Sequence, residues 1–171
     1  IAIYKATLDN EEIDQLKSVL QAKDDLSKVL EFEEKMVKYI GAKYAIATAT
    51  STAALHLALS SMRLKRGNKV LMSVNSFVNL PETVRHFDAE PIFVDINLED
   101  MNLDIEKFEE AIIANKSKKL RAAIITFIGG LAPNLDKIYE IGKKYNILII
   151  EDCRAALGTT YKGKKVGNLG A

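Results

Sequence analysis

Between Tyr44 and Asp152 the chain alternates short, β-branched apolar runs with helix-length segments, and this alternation limits the fold more than any other feature. The strand candidates are residues 44–47, 69–72, 91–95, 121–127 and 147–152. Helical segments separate them: one begins at Ala53, one carries Pro81 in its early part, and two more cover residues 105–112 and 135–145. Strands separated by helices do not pair as hairpins; they line up side by side through crossovers. The expected fold class is therefore α/β, a mostly parallel central sheet flanked by helices.

Residues 147–152 (Ile-Leu-Ile-Ile-Glu-Asp) are an apolar run ending in two carboxylates. Such a run reads as a strand buried on both faces, with its last residues at the carboxyl end of a parallel sheet, where open α/β folds bind ligands. A carboxylate buried there needs a cationic partner. The pattern alone is equally served by a strand ending in water or by Asp152 capping the next segment. Glu151 and Asp152 point to opposite faces and do not form a carboxylate pair for acid–base work.

Upstream, Asp9-Asn-Glu-Glu reads as a capped helix start, with the helix running to about Gln21 and a polar connection at residues 23–27. A second helix carries Val29, Phe32, Met36 and Ile40 at helical spacing, with Gly41 as its stop and Glu31, Glu33, Glu34, Lys35 and Lys38 as a solvated face. Hydroxyl residues from Thr48 to Thr52 precede the next helix. They serve as N-caps, and the free N–H groups of a first helical turn also form an anion site. His56, inside that apolar helix, reads as a packed core histidine. The glycine spacing of residues 158–167 reads as a small hairpin. One α/β domain over residues 1–171 is expected: a helical segment 1–43, an alternating core 44–152 and a hairpin tail 153–171.

With 48% hydrophobic and 27% charged residues the chain is of globular type. A net charge of +1, from 24 basic and 23 acidic residues, offers no electrostatic case for nucleic acid or a membrane surface. No stretch has the length of a membrane span and no signal peptide is visible. A single cysteine, Cys153, excludes an internal disulfide framework and fits a reducing cytoplasm. No G-x-G-x-x-G, P-loop or G-x-S-x-G pattern occurs, and two distant histidines with one cysteine argue against a His/Cys metal site.

Taken in order, residues 31–35 with 39–44, 51–59, 89–95, 149–153 and 161–167 resemble the DegT/StrS-type sugar aminotransferases, pyridoxal-phosphate enzymes of fold type I. The ordered set covers nearly the whole chain. The resemblance implies the large-domain fold of that type. Thr52 and Ala53, beside Ser51, would hold the cofactor phosphate through backbone N–H groups, Phe77 would lie against the pyridine ring, and Asp152 would pair with the pyridine nitrogen. Against the family pattern, Ser51 stands where Gly is common, Thr126 where His is frequent, and Ala155 where Gln contacts the phenolic oxygen. Each change weakens cofactor contacts.

The resemblance places the Schiff-base lysine beyond Ala171, together with a C-terminal small domain. Lys162, Lys164 and Lys165 match hairpin lysines instead. The implied activity is amino transfer from an amino-acid donor, usually glutamate, to a nucleotide-linked keto sugar in amino-sugar or polysaccharide biosynthesis. A homodimer with shared active sites is implied as well. Two alternatives stand beside it: a catalytically silent relative serving as a binding module, and the family's dehydratase branch, in which histidine replaces the lysine.

Overall fold

The computed structural model describes residue 6 and residues 8–22 and 26–169, with Leu26 described by its backbone alone. The connection expected at residues 23–27 falls partly outside these, and the chain end at Ala171 wholly so. Helix α1 (Asn10–Gln21) opens with a capping box: the Asp9 carboxylate accepts from the Glu11 amide at 2.8 Å, and Glu12 accepts from the Asp9 amide at 2.7 Å. Helix α2 (Leu26–Ile40) stops at Gly41, whose φ of +79° glycine adopts without steric cost. Helix α3 (Ser51–Ser61) starts earlier than the expected Ala53, because Thr50 is its cap.

Strand β1 (Lys69–Ser73), α4 (Asn79–Arg85), β2 (Glu90–Val94), α5 (Ile105–Ala114), β3 (Leu120–Thr126), α6 (Leu135–Tyr145) and β4 (Leu148–Asp152) then alternate as expected. The hairpin follows as β5 (Thr160–Tyr161) and β6 (Lys164–Lys165), paired antiparallel. The sheet has the order β2-β1-β3-β4 and every pairing is parallel.

The period of two divides β1 and β3 between two cores. Leu71, Ala123 and Ile125 pack with Phe108 and Ile112 of α5 and Ile138 and Ile141 of α6. On the other face Val70, Met72, Ala122 and Ile124 pack with Leu59 of α3 and Leu80 and Val84 of α4. The chain adds β2 on one side of β1 and then β3 on the other. That reversal opens a crevice at the carboxyl ends of the strands.

The structure corrects several expectations. Residues 44–47 form no strand: Tyr44 and Ile46 are exposed, and the Ala47 amide donates to Glu33 at 2.7 Å. A strand exists only with a partner, and among the described residues none lies beside this segment; the same bond takes Glu33 out of a purely solvated face. β4 is not buried on both faces. It pairs with β3 alone, and Leu148 is 54% exposed at the sheet edge. His56 is not a core residue: it lies at the surface with its ring 4.6 Å from that of Phe87. α3 has Leu59 as its buried residue, and Leu57 faces outward. On α2, Val29 and Phe32 are exposed, whereas Met36 and Ile40, with Tyr39, line the cavity described next.

Candidate functional site

The site forms where three elements end. Thr50 Oγ1 accepts the Ala53 amide at 3.1 Å, and the Thr50 carbonyl accepts the Ala54 amide at 3.1 Å. The Ser51 and Thr52 amides remain as the orphan donors that a helix start carries, at the positive end of α3. Thr52 Oγ1 accepts from Asn79 Nδ2 at 2.8 Å, which ties this turn to the start of α4.

Asp152 lies across the crevice at the end of β4. It is the Cα partner of Thr126 at the end of β3, so both side chains leave the sheet on the face that also carries Ile124 and α3. The cation that a sheltered carboxylate needs is supplied from within the chain. Arg154 Nη2 donates to Asp152 Oδ2 at 2.8 Å, and Arg154 Nη1 donates to Asn79 Oδ1 at 3.0 Å. The guanidinium lies over Phe77, its Cζ 4.6 Å from the ring centroid. Thr52, Asn79, Arg154 and Asp152 thus make one continuous polar chain from the α3 N-terminus to the β4 terminus. Arg154 and Asn79 escaped sequence reasoning; the Asp-x-Arg spacing was the available signal for the first.

Two buried polar atoms here have no partner among the described residues: Thr126 Oγ1 and Arg154 Nε. Thr126 is 3% exposed, so its hydroxyl forgoes water as well. Phe77, by contrast, is 62% exposed, and its ring is the aromatic surface over which Arg154 lies. Ala155 is exposed on the turn after β4. Its carbonyl packs where a Cβ on Gly130 would lie 3.1 Å away, so it serves the turn. A cavity of about 500 Å³ adjoins these groups, walled by Met36 and Ile40 of α2, Ser51 and Leu55 of α3, and Ile150 and Asp152 of β4. Ser51 and Asp152 therefore share one cavity, and Thr52 and Phe77 join it through Asn79 and Arg154.

Glu151 points the other way, as expected for its neighbour on a strand. It accepts from the Tyr139 hydroxyl, the Gly167 amide at 2.8 Å and the Leu169 amide at 3.3 Å, pinning the tail along the sheet edge. Cys153 follows the two acids in the chain; burial first, and then the Glu151 and Asp152 charges, push its thiol well above the usual range. A thiol in that setting is a poor nucleophile. Chemically, the arrangement offers an anion seat at α3, an aromatic face at Phe77, and a carboxylate for a cationic ring atom.

The model of the DegT/DnrJ/EryC1/StrS aminotransferase family matches residues 6–171. GDP-perosamine synthase of Caulobacter vibrioides is 37% identical over 142 residues, which are 83% of this chain and 37% of that protein. UDP-4-amino-4,6-dideoxy-N-acetyl-beta-L-altrosamine transaminase of Campylobacter jejuni is 36% identical over 166 residues, 95% of this chain and 43% of that protein. Among solved structures, GDP-4-keto-6-deoxymannose-3-dehydratase with a trapped PLP-glutamate geminal diamine superposes with a TM-score of 0.87 at 25% identity, covering 98% of this chain and 45% of that one. The chain thus spans less than half the length of these relatives.

Proposed function

This chain belongs to the DegT/DnrJ/EryC1/StrS aminotransferase family, and on that premise we propose that it is the cofactor-holding part of a pyridoxal-phosphate-dependent enzyme. That enzyme moves an amino group from an amino-acid donor, glutamate in the first instance, to a nucleotide-linked keto sugar in amino-sugar or polysaccharide biosynthesis. The observation that carries the reading is the pairing of the α3 N-terminus with Asp152 across one crevice.

The residues present fit the cofactor. Thr126 Oγ1, buried and unpartnered beside Asp152, is the kind of atom that a polar ligand completes. The expected pair of Thr52 and Ala53 amides is changed in one member, because Thr50 Oγ1 already takes the Ala53 amide; the Thr52 amide with that of Ser51 would hold a phosphate, a role suited to a helix N-terminus. Phe77 would lie against the ring, and Asp152 would keep the ring nitrogen protonated. When bound, pyridoxal phosphate supplies a protonated ring that accepts electrons from the substrate carbon. Ala53, with its amide held by Thr50, would frame the phosphate turn, and Ala155 would offer its backbone only. The lysine that bonds the cofactor would lie outside residues 1–171, so within this chain no residue is assigned a catalytic role.

The test is the intact mass of the full natural protein after incubation with pyridoxal phosphate and borohydride reduction. One adduct on a lysine outside residues 1–171 is expected. No adduct, or an adduct on Lys162, Lys164 or Lys165, would refute the aminotransferase reading and leave the catalytically silent binding module or the lysine-free dehydratase branch. The match to a sugar dehydratase favours a second reading, in which the same site serves removal of a sugar hydroxyl. Product analysis with a keto-sugar nucleotide separates the two, an amino sugar against a deoxy sugar.

A homodimer belongs to the proposal. Ile13, Leu16 and Leu20 line an uncovered face of α1, and no described residue of that helix is buried. A monomer in sedimentation at micromolar concentration would contradict it.

A further inference from the structure

We infer that Arg154 occupies the seat of the cofactor ring and thereby sets how tightly this site takes a planar cationic ligand; the inference rests on the cofactor reading above. A pyridinium ring in this crevice requires an aromatic face on one side and a carboxylate at its nitrogen. Both are already engaged by one side chain. The guanidinium is a flat, delocalised cation. It stacks over Phe77 at 4.6 Å and donates to Asp152 at 2.8 Å, the two contacts that the ring would make.

The side chain is fastened there from a third direction. Asn79 Oδ1 accepts from Nη1 at 3.0 Å, and Asn79 is itself oriented by its bond to Thr52 at 2.8 Å. The seat nevertheless serves arginine imperfectly. Arg154 Nε is buried without a partner, a cost that the side chain sheds on leaving. A ring that bridges Phe77 and Asp152 fills the same space, so the ligand and Arg154 exclude each other. Apparent affinity then falls by the fraction of molecules whose seat is free. The phosphate seat at Ser51 and Thr52 lies outside this competition, since Arg154 makes no bond to those amides.

The experiment measures dissociation constants by equilibrium dialysis on the full natural protein, for pyridoxal phosphate and for inorganic phosphate. Wild type, Arg154→Ala and Arg154→Gln are compared, with thermal melts to establish that each variant is folded. Freeing the seat is expected to tighten pyridoxal phosphate about tenfold or more in Arg154→Ala. Arg154→Gln, which keeps the length but not the charge, falls between. Inorganic phosphate is expected to change by less than about threefold, because it has no ring.

If wild type binds pyridoxal phosphate and the folded variants bind it no more tightly, the inference falls and the cofactor reading stands. If inorganic phosphate tightens as much as pyridoxal phosphate does, Arg154 acts on the whole site and the inference falls likewise. If no folded variant binds pyridoxal phosphate, both fall together.

Discussion

Replacing Glu151 by alanine tests whether the strand that presents Asp152 is held in place by the residue beside it. The carboxylate gathers the Tyr139 hydroxyl from α6 and the Gly167 and Leu169 amides from the tail. Burial first, then the bond to Glu151, hold the Tyr139 hydroxyl far above its ordinary titration range, so it stays a donor at all ordinary pH. A hydrogen bond to a charged group contributes about 1.5–3 kcal/mol when sheltered, and less where water can replace the acceptor. Gly167 is exposed and Leu169 half-buried, so those two bonds are taken at about 0.5 kcal/mol each and the Tyr139 bond at about 1.5 kcal/mol. The sum is about 2.5 kcal/mol. With a urea slope of about 2 kcal/mol per M, the unfolding midpoint should fall by about 1 M. Tyr139→Phe should cost about 1.5 kcal/mol alone and add almost nothing on top of Glu151→Ala, because both remove the same bond. A midpoint shift below about 0.3 M, or full additivity of the two changes, would refute the reasoning.

Asn102 is fully buried, accepts from the Ile128 amide at 3.1 Å and donates to the Leu131 carbonyl at 3.3 Å, so it ties down the loop after β3. Asn102→Ala should therefore cost about 2–4 kcal/mol in urea unfolding by leaving both groups unpaired. The raised Cys153 pKa means its neutral form stabilises the fold at every pH below the free thiol value of about 8.5, and that contribution is lost as pH climbs beyond it. Iodoacetamide at pH 8.5 should accordingly alkylate folded protein at least about tenfold more slowly than free cysteine, with equal rates in denaturant. Glu31, hydrogen-bonded by Lys28 at 2.8 Å and Lys35 at 2.7 Å, titrates at about 2. Its contribution is present above the ordinary carboxylate value and disappears as pH falls toward 2, so Glu31→Gln should flatten the acid end of a circular-dichroism titration.

What was legible in the sequence follows from how locally each feature is determined. The bounds of α6, Leu135–Tyr145, match the expectation because Asn134 caps its start and Asn146, at φ +56°, ends it. The hairpin at Thr160–Lys165 was legible for the same reason, since Gly163 takes φ +80° in its turn. Polar chains were not. Thr52 meets Asn79, and Asn79 meets Arg154, across sequence separations of 27 and 75 residues. No local pattern encodes such pairs. Asp152 was found, but the cation facing it was not, although it stands two positions along the chain.

By itself, the sequence determined the order and kind of the elements, and so the parallel α/β layering: periodicity and capping act within a few residues, and crossover helices force strands to run parallel. Tertiary structure alone decided whether a strand-like run becomes a strand. Residues 44–47 and 148–152 have similar local character, yet only the second pairs, because β3 lies beside it. It also decided which residues are covered, leaving His56 and Phe77 at the surface while Thr126 is buried. Burial and pairing depend on what the rest of the chain places alongside, and that is settled only when the layers close.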